Sequence, residues 1–172
     1  MYILIVLFIL LAIAVVTDLL FDKVYNEWIL IGIACGLGNI LWSQGREGLL
    51  WALISMTLPV ILLYPLFRIG GLGAGDIKLM AAIGCFLTWK ETICCLGIAF
   101  FIGAVLSLLK MVAERNFLQR IQYLLSYLRD VFKSGQWKLY EQGIQKHKKE
   151  GKIHFSVPIL LSVVLYKGGI FW

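Results

Sequence analysis

Gly70-Gly71-Leu72-Gly73-Ala74-Gly75-Asp76-Ile77-Lys78 stands between two uncharged apolar runs, 48–67 and 79–89. The second run has only 11 residues. At 1.5 Å rise per residue that is about 16 Å of helix, roughly half of a hydrocarbon core of about 30 Å. A full crossing has to borrow from the N-terminal side, and counting back about 20 residues from Trp89 reaches Gly70. Glycine-rich backbone is a poor helix former. At membrane depth, non-helical backbone persists only where it is buried in protein or lines a wet cavity. The stretch is therefore expected to face the protein interior, near water, with the carboxylate of Asp76 in it. Gly73 and Gly75 carry no side chain to keep a neighbouring helix or an extended peptide away.

Four more uncharged runs, 1–17, 28–45, 92–109 and 153–166, flank this region. Together the runs predict an all-α polytopic membrane protein of about six transmembrane helices, forming a single membrane-embedded domain over 1–172. Composition agrees: 60% of the 172 residues are hydrophobic and 15% charged, against about 45–50% and 25% in soluble domains. That excludes a soluble globular enzyme and a disordered chain. Four cysteines are too sparse for a disulfide-stapled secreted module. The first run lacks a basic leader region and a small-x-small cleavage site, so it reads as a retained span.

The net charge of +6 is unevenly placed. Ten of the sixteen Lys and Arg lie in 110–152. With both termini outside, the inner loops hold these ten plus Lys23, Arg68 and Lys78, while the outer side holds Arg46, Lys90 and Lys167. The positive-inside rule therefore sets an N-out/C-out orientation in a cell membrane. Within the long loop, Phe117, Ile121, Leu124, Leu125, Leu128 and Phe132 recur at helical spacing among Arg115, Arg120, Arg129 and Lys133. This predicts a basic amphipathic cytoplasmic segment between helices 5 and 6, lying on anionic inner-leaflet lipid. The cluster Lys146-His147-Lys148-Lys149 reads as a solvated basic face. No basic-plus-aromatic module points to nucleic acid.

Ionisable groups at membrane depth mark function by default. Asp18 follows seventeen uncharged residues, at the inner end of the first span. Taken alone it is a charge ending a helix at the interface. With Asp76 at the inner end of the fourth span, it suggests a pair. Two close carboxylates cannot both ionise cheaply, so they share a proton. The charged member can activate water as a general base, and the protonated member can donate to a peptide carbonyl. Either residue can hold either role. The glycine-rich stretch is not a phosphate-binding loop, because Gly-Asp-Ile stands where Gly-Lys-Ser/Thr is needed. It is not a dinucleotide fingerprint either, since Asp76 occupies the third glycine position.

Gly73-Ala74-Gly75-Asp76-Ile77-Lys78-Leu79-Met80-Ala81-Ala82-Ile83-Gly84 resembles the second signature of the type IV prepilin peptidases, intramembrane aspartic proteases with a Gly-x-Gly-Asp motif. Asp18, Lys23, Val24 and Asn26 fall at the offsets of the first signature, with Tyr25 where the family usually has Pro. His154-Phe155-Ser156-Val157-Pro158 resembles the segment entering the last span. The resemblance implies that Asp18 and Asp76 are the catalytic pair, with Gly73, Gly75, Lys78, Lys23 and Asn26 in motif or substrate-positioning roles. It implies cleavage of the leader of prepilin or pilin-like precursors at the cytoplasmic membrane face, without cofactor or metal.

Large family members carry a Cys-x-x-Cys region linked to N-methylation. Here only 21–27 occupies that position, and Cys35, Cys85, Cys94 and Cys95 form no such motif. The likeness is to the short form of tight-adherence (Flp) pilus systems and does not carry methyl transfer over. Asp22, Glu27 and His154 read as loop or surface groups, with Glu27 and Asn26 as candidate caps of the second span. Lys78 either orients substrate or anchors its helix. The alternatives are a proton- or cation-coupled carrier using the same carboxylates, for which no two related halves are found, and a noncatalytic pilus or secretion assembly factor.

Overall fold

The structure is a computed structural model that describes residues 2–113, 122, 126, 129 and 154–169. Its described elements are five helices: α1 (Tyr2–Phe21), α2 (Asn26–Arg68), α3 (Ala74–Ile83), α4 (Trp89–Ala113) and α5 (Ser156–Lys167). No strand occurs among the described residues. α1, α2 and α4 are long and apolar enough to cross a membrane. Apart from isolated positions, the amphipathic pattern over 117–132 and the basic cluster at 146–149 lie outside the described residues.

α2 is not one rod. Gly45 has φ 64° and ψ −152°, a region open essentially only to glycine. A Cβ on Gly36 would lie 2.7 Å from Cys85 Cβ, and one on Gly84 would lie 2.5 Å from the Ser55 carbonyl oxygen. In a straight helix residues 36 and 55 would be about 28 Å apart. Both instead meet the short segment 84–86, so the chain folds back at Gly45. The break falls between the two runs, 28–45 and 48–67, that the sequence separates.

The C-terminus of α2 explains Gly70 and Gly71. Gly70, at φ 77°, donates its N–H to Phe67 O at 3.0 Å, and Gly71 donates to Leu66 O at 2.9 Å. These are the paired bonds of a Schellman ending, whose left-handed position glycine fills without strain. Gly70 and Gly71 thus stop one helix, and the next begins only at Ala74.

α3 corrects the expected fourth span. The helix has ten residues and ends at Ile83; it does not run on to Trp89. Turns occupy 84–86 before α4 begins. At about 15 Å, α3 is a half-length helix, and it is enclosed by protein. Leu79, Met80, Ala82 and Ile83 are fully buried; Leu79, Met80 and Ile83 share one core with Leu7 and Leu11 of α1, Leu63 of α2, and Ile159 and Val163 of α5. Large side chains such as Leu20, Ile31, Leu50, Ile61 and Phe101 point outward and are exposed. Helices apolar on both faces suit a lipid surround, where close approach at small residues holds neighbours together. Gly32 against Leu10 and Gly84 against Ser55 are such contacts.

Candidate active site

α1 runs one turn beyond its apolar run. Asp18 lies in its last turn and is 7% exposed. The N–H of Asp22 still donates to Asp18 O at 3.0 Å. Asp22 itself adopts φ 55°, a left-handed conformation that short polar side chains tolerate, and the helix stops. Residues 23–25 then lead into α2, with Tyr25 as N-cap at φ −72° and ψ 134°. A proline would adopt that φ, so the departure from the family's usual Pro leaves the backbone geometry intact. Neither Asn26 nor Glu27 caps α2 from its side chain: both lie inside the first turn, and the N-cap has no side-chain hydrogen bond.

Asp76 enters from α3. Gly73 is the N-cap, with extended φ −76° and ψ 148°. Asp76 is therefore the third helical residue, where a carboxylate is favoured by the helix N-terminus and reaches back over the cap. Its Oδ2 would be 3.2 Å from a Cβ on Gly73. A Cβ on Gly75 would stand 3.2 Å from Val24 Cβ. The glycines of the motif thus leave room for Asp76 on one side and for the α1–α2 connection on the other.

Asp18 and Asp76 line one cavity of about 900 Å³. Lys23, Asn26, Gly73 and Gly75 line it too, together with Leu66, Leu72, Phe100, Gly103, Ala104 and Ser107. Six of the seven residues that the motifs single out are brought to one place. The seventh, Lys78, lies behind the wall, where its Nζ donates to Asn26 Oδ1 at 2.9 Å. It ties α3 to the start of α2, a role that neither sequence expectation for it included.

The site has members that sequence reasoning misses. Ser156, fully buried at the first turn of α5, donates its hydroxyl to Asp18 Oδ2 at 2.6 Å. His154 Nε2 lies 3.0 Å from Asp22 Oδ1, and His154, Asp22 and Glu27 all line the cavity. His154 is thus more than a surface residue, although the Asp22 side chain stays 64% exposed. Phe155 closes the wall against Phe100, with ring centroids 5.2 Å apart. The sequence marks this segment only by its likeness to an entry into the last span. The pairings themselves join residues more than 130 positions apart.

A half-length helix presents a carboxylate at its N-terminus, a second carboxylate ends the first span, and both meet one open cavity in an apolar bundle. A model of the type IV leader peptidase family matches residues 5–108, more than half of the chain, and the chain belongs to that family. No curated protein and no solved structure matches it. The family match supports a protease. It ends within α4, so α5 and the residues Ser156 and His154 that contact Asp18 and Asp22 lie beyond it.

Proposed function

We propose that the chain is an aspartic endopeptidase of the cell membrane that removes the leader of prepilin or pilin-like precursors at the cytoplasmic face. The observation that carries this reading is the shared cavity of Asp18 and Asp76 in a chain of the type IV leader peptidase family. One carboxylate takes a proton from water as it attacks the scissile carbonyl carbon. The other gives its proton to the carbonyl oxygen; as the C–N bond breaks, the proton taken from water passes to the leaving amine and a hydroxyl proton of the collapsing gem-diol restores the second carboxyl group. An extended substrate has the open cavity that Gly73, Gly75 and Asp76 line.

Charge placement supports the side. Lys23 lines the cavity and Lys78 braces its wall, whereas Lys167 lies against Glu91 near the start of α4. With the basic loop 110–152 following α4, the cavity end is the more positive one and faces the cytoplasm. That loop binds anionic inner-leaflet lipid in this account. The chain crosses the membrane about six times, N-out and C-out, with α3 as the half-length fourth segment.

Co-expression of a prepilin precursor with wild type, Asp18→Asn and Asp76→Asn, with membrane insertion confirmed for each, tests the reading. Cleavage by wild type and its loss in both variants is the expected result. Cleavage surviving in both variants overturns the aspartic mechanism.

A further inference from the structure

We infer that Ser156 is the positioning residue of the site: its hydroxyl holds Asp18 as a hydrogen-bond acceptor, so the active carboxylate is assembled only when the start of α5 is docked on α1. This rests on the proposed peptidase reading and adds a residue outside the matched family region.

Among the described residues, five hydroxyl or carboxyl residues are buried: Asp18, Ser55, Thr92, Ser156 and Ser162. Ser55, Thr92 and Ser162 turn their hydroxyls to carbonyls of their own helix or its cap, at Trp51, Thr88 and Ile159. Such bonds satisfy the hydroxyl within its own helix. Ser156 alone of these four hydroxyls reaches another helix, and its target is the carboxylate that lines the cavity. Ser156 is fully buried and is not among the residues lining the cavity. It cannot touch substrate and acts through Asp18.

A hydroxyl that donates to a carboxylate oxygen restricts the rotation of that carboxylate. With Oδ2 committed to Ser156, the remainder of the group is what a water in the cavity meets. Docking of α5 is itself secured around this point. Phe155 packs on Phe100, a Cβ on Gly103 would lie 2.9 Å from the Phe155 ring, and His154 meets Asp22. Asp18 thereby becomes sensitive to a helix far from it in sequence.

The test is kcat and KM for a purified prepilin precursor, using the full chain in detergent as wild type, Ser156→Ala, Ser162→Ala and Asp18→Asn. Ser156→Ala is expected to lose activity through kcat, by about tenfold or more, with KM little changed, because the carboxylate has lost the donor that holds it. Ser162→Ala, a buried serine on the same helix, is expected to match wild type. Wild-type kcat in Ser156→Ala, or an equal loss in Ser162→Ala, while Asp18→Asn is inactive, overturns the positioning role and leaves the peptidase reading standing. Full activity in Asp18→Asn overturns the peptidase reading itself.

Discussion

The two ends of this bundle are built on opposite terms. At the cavity end the chain stops its helices early and turns its polar groups on one another: Ser156 on Asp18, His154 near Asp22, Lys78 on Asn26. At the far end there is contact in place of space. Gly84 lies against the backbone of Ser55 and Met56. Thr88 and Glu91 form a reciprocal cap at the start of α4: the Thr88 N–H donates to Glu91 Oε2 at 2.8 Å, and the Glu91 N–H donates to Thr88 Oγ1 at 3.5 Å. The same Glu91 receives Lys167 Nζ at 2.6 Å, joining α4 to α5. One end supplies rigidity and the other is left open for chemistry.

Substitutions should separate these roles. The largest effect belongs to the cavity end. Asp18→Asn or Asp76→Asn is expected to lower the cleavage rate by about 10²- to 10⁴-fold, the range for loss of a general acid or base. The thermal midpoint in detergent should hardly move, since both side chains keep their shape. A folded variant that cleaves at the wild-type rate would break the comparison.

Next comes Gly84→Ala at the closed end. The added Cβ meets backbone atoms at 2.5 to 2.7 Å, which cannot rotate away. A loss of about 3 kcal/mol is expected, read as a lower thermal midpoint, with cleavage per folded molecule retained. Glu91→Ala removes both the cap and the partner of a Lys167 that is only 21% exposed. About 2 kcal/mol is expected from the two together, again without loss of cleavage by the folded fraction. The smallest effect is at Lys78→Met. Its bond to Asn26 is solvent-exposed, so about 0.5 kcal/mol and roughly a twofold change in rate are expected. A much larger fall in kcat would sharpen the comparison by moving Lys78 from bracing to substrate contact.

How much of the molecule is legible in the sequence depends on the range of the interactions. Hydropathy is local, and it locates α1, α4 and both limbs of α2, with the Gly45 turn between them. The motif around Gly73 and Asp76 is local too, and the run of only 11 residues behind it announces a segment too short for the bilayer. That run does not disclose that the helix ends at Ile83, because Gly84 is required by Ser55 on another helix. The partners of Asp18 and Asp22 are out of reach for the same reason. Ser156 and His154 are ordinary residues in a short stretch, and their contacts with Asp18 and Asp22 come from how the start of α5 packs on the end of α1. Lys78 stands out within the motif, but its partner Asn26 lies 52 positions away.

The central claim is that Asp18 and Asp76 work as a single unit on one cavity. Single-turnover cleavage of a prepilin precursor by wild type, Asp18→Asn, Asp76→Asn and the double variant tests it most directly. Groups that act as a unit are grossly non-additive. Each single variant is predicted to fall to the same floor as the double. Independent losses that multiply in the double variant, or a near wild-type rate in either single variant, would contradict it.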